Sequence, residues 1–137
     1  MTRPAAVRAR RRGADGSDRG AVTVTQLITI PVIVTVTLIV VQVAVVFMAH
    51  NAAAAAAQNG ISLAREYGSS LDAGRQATLD YLTETAGGLI TAPQVTADRD
   101  GDLVTVTVTG TAMSVVPFLN LAIEASQSGP VEQAVIE

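Results

Sequence analysis

The chain has no cysteine and no lysine among its 137 residues, one histidine, and four aromatic residues. Lacking cysteine, it can form no disulfide, no thiolate metal site and no cysteine nucleophile. The single histidine, His50, sits at the end of an apolar run, and no glycine-flanked serine elbow accompanies it. A serine nucleophile therefore has no base to activate it. These absences point away from an enzyme, and no cofactor or small-molecule substrate is expected. The missing lysine, beside abundant alanine and arginine, fits a GC-rich bacterial coding bias.

Charge is also missing over a long stretch. No Asp, Glu or Arg occurs between Arg19 and Arg65, and residues 27–49 form an apolar run of 23 residues. As a helix rising about 1.5 Å per residue, the run is roughly 34 Å long, enough to cross a bilayer's hydrocarbon core. Its valine–threonine alternation would suggest a strand in water. In lipid a lone strand leaves its backbone groups unpaired, so a helix is expected. Pro31 lies early in it, where it removes the donor to the carbonyl of Leu27 and bends the helix slightly.

The charges that remain are segregated. Six arginines (Arg3, Arg8, Arg10, Arg11, Arg12, Arg19) precede the run beside Asp15 and Asp18, whereas three arginines and ten acids follow it, a net of −7. Positive residues resist translocation, so the amino terminus is expected in the cytoplasm and the carboxyl terminus outside. The chain then reads as a single-pass protein of the cell membrane. An arginine-rich tail can also neutralise phosphate. This one lacks aromatics and helical periodicity and abuts the run, so no nucleic-acid partner is expected. Residues 1–19 read as a disordered basic segment.

Thr35 and Gln42 are seven residues apart and share a helix face. Two readings stand side by side. Threonine can bond back to its own helix while glutamine reaches the interface, or both can hydrogen-bond a neighbouring helix as intramembrane packing residues.

Beyond the run, NAAAAAAQNGISLAREYG (51–68) has the composition of a helical stalk through about Tyr67, alanine being the best helix former. Gly68, Ser69 and Ser70 break it. Ser70 or Asp72 can cap a second helix reaching about Ala86, with Ala73, Ala77, Tyr81 and Leu82 as its apolar stripe and Gly87-Gly88 as its stop. The period then changes to two. Residues 94–97 and 103–109 alternate as strands, the second reading VTVTVT. The Asp100-Gly101 pair between them favours a tight hairpin turn. A third strand would point Leu121, Ile123 and Ala125 inward and Glu124 and Ser126 outward, and Gly129-Pro130 would end it, with the last residues frayed. The expected fold is α+β. A single N-terminal transmembrane helix extends as a stalk, followed by a second helix and a small antiparallel sheet of about three strands. The domain limits are 1–20 (basic cytoplasmic tail or leader), 21–50 (transmembrane helix), 51–70 (alanine-rich stalk) and 71–137 (extracytoplasmic domain). With few aromatics outside the span, the domain's core is expected to be small and to need partners.

Three local signals carry alternatives. Asp98, Asp100 and Asp102 resemble a calcium loop, but the sixth and twelfth positions from Asp98 hold Leu103 and Thr109 in place of the required glycine and glutamate. A solvated hairpin turn is expected, with no metal. Small residues at 49–57 offer signal-peptidase sites, which would release a secreted binding or adhesin-like module. Signal-peptide apolar cores are usually shorter, about 7–15 residues. At Gly20-Ala21 a charged segment ends in glycine and an apolar helix begins, a junction similar to the leader cut by a prepilin-type peptidase.

The order of these segments resembles the TadE-like family, pseudopilin-like proteins of the Tad (tight adherence) pilus machinery, particularly its actinobacterial members. DRGAVTV (18–24), the early Pro31, HNAAAAAAQNGISLAR (50–65), GRQATLDYLTETAGGL (74–89), VTVTVTGTA and the closing ASQSGPVEQ carry the resemblance, which covers about residues 19–133. It implies a non-enzymatic, membrane-anchored pseudopilin or accessory component of a Tad-type pilus or secretion apparatus. Its partners would be the membrane, a prepilin-type peptidase, and other pilus or secretion proteins met through the span and the outer domain. One position departs from the family: glutamate usually stands five residues after the glycine, and here it is Thr25. A freed Ala21 amine would then lack its neutralising carboxylate in an apolar bundle.

Overall fold

The computed structural model describes residues 15–66 and 69–133, with side chains from Gly20 onward. The disorder expected for residues 1–14, the stalk end at Tyr67, the break at Gly68 and the fraying of 134–137 lie outside the described residues. The elements in chain order are α1 (Asp15–Ala64), α2 (Leu71–Thr85), β1 (Ile90–Asp100), β2 (Leu103–Ala112) and β3 (Ala122–Pro130). The fold class is α+β, as the periodicity implies. The chain divides into two compact units, with the boundary inside α1 between Thr37 and Leu38.

In the first unit, α1 begins at Asp15, five residues before Gly20. Residues 15–19 are therefore helical rather than part of a disordered tail. Once a long helix exists, each further residue adds a hydrogen bond without a new nucleation cost, so it propagates backward until the sequence stops it. Pro31 lies within the helix. From Gly20 to Thr37 every described side chain is exposed. The hydroxyls of Thr25, Thr35 and Thr37 donate to the carbonyls of Ala21, Pro31 and Ile33 at 2.8–2.9 Å. These back-bonds hide the polar atoms on an otherwise apolar surface.

In the second unit, the three strands form an antiparallel meander in the order β1-β2-β3. Val95, Val108 and Ala125 share one row, and Val104, Val106, Val108, Ile123 and Ala125 are buried on one face. Fully burying each valine contributes roughly 2 kcal/mol. The opposite face is hydroxylated: Thr105 pairs with Ser128 at 3.1 Å and Thr107 with Ser126 at 3.0 Å. Asp100 pairs with Leu103, so the β1–β2 turn is Gly101-Asp102 rather than Asp100-Gly101. Gly101 has φ +60°, while Asp102 is not among the residues with positive φ. That combination is a type II′ turn, which places glycine first. A bulge between Thr91 and Gln94 holds Ala92 at φ +50°. Opposite it, position 110 needs glycine, because a Cβ there would lie 2.5 Å from Ile90 Cγ2.

The alanine-rich half of α1 is the rib on which this unit is built. Ala49, Ala53, Ala56, Ala57, Ile61 and Ala64 recur at spacings of one to four and are buried with the inward valines. Small side chains let the helix backbone come close to the sheet and to α2. At the tightest point, a Cβ added to Gly60 would collide with the Thr78 hydroxyl and lie 2.7 Å from the Gly74 carbonyl. One added to Gly74 would lie 2.6 Å from Ala64 Cβ.

α2 is capped by Ser70, whose hydroxyl accepts from the Ala73 N–H at 3.1 Å. Its inward line is Gly74, Thr78 and Leu82; of the expected stripe Leu82 is buried, Ala77 and Tyr81 are half-buried and Ala73 is exposed. Glycine and threonine carry no apolar signal, so only the close helix contact marks them as interior. Arg65 finishes α1 by turning toward the end of β3. Its Nε donates to the Pro130 carbonyl at 2.9 Å, and its own carbonyl accepts from Glu132 N–H at 3.0 Å.

Candidate functional site

Two features of the described residues are functional in character: the apolar surface of α1, and a loop held by a buried glutamine. The first follows directly from composition. Residues 20–64 make one helix long and apolar enough to cross a membrane, with mean hydropathy 2.8 over its most apolar window. Length and composition alone also admit a signal sequence. Exposed Val22, Val24, Leu27, Ile28, Ile30, Val32, Ile33, Val36, Ile39 and Val40 cover it on all sides. A helix apolar all round is one that meets an apolar solvent or partner.

The second feature lies within the sheet unit. Gln42 is 1% exposed, although it stands in the middle of the apolar run. Its Oε1 accepts from the Val115 N–H at 2.7 Å and the Val116 N–H at 3.2 Å, and its Nε2 donates to the Met113 carbonyl at 3.2 Å. One amide thus satisfies three backbone groups of the β2–β3 loop, residues 113–121. Two further bonds close the base of this loop, Ala112 N–H to Leu121 O at 2.9 Å and Met113 N–H to Leu89 O at 2.8 Å. No buried side-chain nitrogen or oxygen among the described residues lacks a partner.

This arrangement separates Thr35 from Gln42. Thr35 bonds back to Pro31 in its own helix, the first of the two readings. Gln42 reaches neither water nor a second helix: its amide is committed to the chain's own loop. The loop was not legible beforehand. Its one signal is an uncharged, apolar VVPFL segment between two strands, where connections are usually polar.

Gly20 and Ala21 lie inside α1, both exposed. A Cβ at Gly20 would meet nothing within 4 Å, so packing within the chain supplies no reason for a glycine there. Asp98 lies on the outward face of β1, Asp100 ends that strand, and Asp102 sits in the turn. Among the described residues no three acidic or histidine side chains gather in a way that could hold a metal ion.

Fold and surface define the class: an α+β protein with one candidate membrane-spanning helix among the described residues. No family model, curated protein or solved structure matches the chain.

Proposed function

We propose that the protein is a non-enzymatic, single-pass membrane component of a Tad-type pilus or secretion apparatus, a minor pseudopilin or accessory protein. The observation that carries this reading is the double use of α1. Its first part exposes apolar side chains on every side, and its second part is the buried rib of a small antiparallel sheet. The TadE-like resemblance implies a membrane anchor that continues outward as a helix toward a small domain, and a single α1 running from Asp15 to Ala64 fits that order. On this reading residues 21–41, rather than the whole of the 21–50 expected from the sequence, lie in the bilayer, because Gln42 and Ala49 are buried within the chain. The six arginines are then on the cytoplasmic side and the acidic domain outside. Twenty-one residues at about 1.5 Å each come to roughly 31 Å, close to the hydrocarbon thickness. The open space around Gly20 is consistent with a glycine kept for a processing enzyme rather than for packing. Thr25, whose hydroxyl is occupied by the Ala21 carbonyl, offers no charge to a freed Ala21 amine. That favours an accessory role over incorporation along a major filament.

The secreted alternative fits the fold less well. Cleavage within residues 49–57 would cut through Ala49, Ala53, Ala56 and Ala57, all buried in the core, and would remove Gln42 from the loop it holds. Mass analysis of the mature amino terminus, with membrane fractionation, tests the proposal. A start at Met1, Thr2 or Ala21 in the membrane fraction is expected, Ala21 marking prepilin-type processing. A soluble form starting within residues 49–57 would overturn it.

A further inference from the structure

We propose that the β2–β3 loop, residues 113–121, is a second membrane contact: it seats Phe118 and Leu119 in the extracytoplasmic leaflet of the phospholipid bilayer without crossing it. The inference rests on the reading that residues 21–41 span that bilayer.

Four observations carry it. The first is chemical. Phe118 is 101% exposed, Met113 and Leu119 are exposed, and Val115 and Val116 are half-buried. No charged residue occurs between Asp102 and Glu124. A loop in water gains nothing by projecting its one aromatic ring with no neighbour, whereas an aromatic ring is at home at the lipid boundary.

The second is depth. Gln42 ties the loop backbone to α1 at residue 42, one residue beyond the 21 that span the hydrocarbon core at about 1.5 Å each. The tie also lies seven residues inside the apolar run that ends at Ala49. Within its own unit the loop is therefore tied at the Gln42 end of α1, the end nearer in sequence to the span, and not at the Arg65 end, which bonds the end of β3.

The third is continuity. Val41, Val43, Phe47 and Met48 on the uncovered side of the same helix are exposed and apolar. The helix thus keeps a lipid-compatible surface at the level where the loop is attached.

The fourth is conformational. Phe118 has φ +69°, a region that bulky residues avoid. Its side chain is fully exposed, so no described residue compensates. Residues held in sparsely populated backbone regions cluster at functional contacts. Gln42 thus acts as a bracket. It pairs the Val115 and Val116 amides and the Met113 carbonyl, so that those backbone groups of the loop are already satisfied when its apolar tip enters lipid.

The chain has no tryptophan, so a single introduced one reports its own surroundings. The full chain carrying Phe118→Trp is reconstituted in phosphatidylcholine vesicles and in vesicles whose acyl chains are brominated. The expected result is blue-shifted emission, strong quenching by the brominated lipid and weak quenching by aqueous acrylamide. Two companion variants frame it. Ile33→Trp lies mid-span, and Leu103→Trp lies at the opposite end of β2, where acrylamide should quench it and bromine should not.

If Ile33→Trp is quenched by bromine and Phe118→Trp only by acrylamide, the span stands and the loop contact is overturned. If Phe118→Trp is shielded from both quenchers, protein covers the loop, and the lipid assignment is again overturned. If Ile33→Trp escapes bromine, the bilayer reading itself fails and takes the loop contact with it. The Phe118 ring touches nothing in the fold, so the substitution does not threaten folding. Unchanged amide exchange at Val115 and Val116 confirms that the bracket is intact.

Discussion

Residues 20–41 and residues 42–64 of α1 make the same helix from different side chains for different surroundings. The earlier part is built from valine, isoleucine, leucine and threonine, all exposed but for a half-buried Leu38. The later part has Gln42, alanine, glycine and one isoleucine on its inward line, all buried. β-Branched residues are mediocre helix formers in water; on the proposed reading this part lies in lipid, where the backbone has no alternative to satisfying itself and propensity matters little. At the closest approach of α1 to α2 side-chain volume decides, and a Cβ fits at neither Gly60 nor Gly74. The contrast shows that one helix can answer to two constraints, solvent in one part and steric fit in the other.

The comparison can be broken from either side. On the proposed reading, Ile33→Arg places a charge near the bilayer centre and costs about 3 kcal/mol of insertion free energy. Glycosylation-tagged insertion assays should show reduced spanning, with amide exchange in the strands unchanged. Gly60→Val does the reverse. Its Cβ enters the space of the Thr78 hydroxyl and the Gly74 carbonyl, and overpacking of that kind costs about 3 kcal/mol. Thermal melting in detergent should drop or lose cooperativity while insertion stays normal. Equal effects of both substitutions on both readouts would erase the distinction.

Smaller substitutions sharpen it. Gln42→Leu leaves the Val115 and Val116 N–H groups without their acceptor, a loss of about 2 kcal/mol. It should accelerate amide exchange at those two positions and leave any co-purified complex intact. A weakened complex with unchanged exchange would restore the interhelical role for Gln42. Arg65→Ala removes the bond to the Pro130 carbonyl, and denaturant titration should register about 1 kcal/mol. Its pairing with Glu132 at 3.7 Å is solvent-exposed and adds little. Thr35→Val, which deletes a hydroxyl bonded only to its own helix, should change melting and insertion by less than about 0.5 kcal/mol. A larger drop in assembly would point to an interhelical use of that face.

Much of the architecture was readable from residue order. The change of period from 3.6 to 2 after Gly87-Gly88 marks where helices end and the meander begins. Ser70 caps α2 as its identity suggests, and Ile123 and Ala125 face inward against Glu124 and Ser126. Three things were not readable. The inward line of α2 runs through Gly74 and Thr78, residues whose fitness lies in being small at one crossing. The hairpin turn sits one residue later than the Asp-Gly pair suggests, because cross-strand register rather than the dipeptide sets which residues oppose. The partner of Gln42 is more than seventy residues away, a distance that no local pattern spans.

Composition and period by themselves determined the class of this protein: an uncharged apolar helix of spanning length, a charge asymmetry across it, and an α+β remainder. Those properties depend on each residue's own chemistry and on neighbours within a few positions, so they are written locally. Only the tertiary structure decided that the alanine-rich segment is the rib of the domain, that Gly60 and Gly74 mark the closest helix approach, and that Gln42 holds the 113–121 loop. Each of these arises where distant parts of the chain meet, and what fits at such a meeting depends on both partners at once.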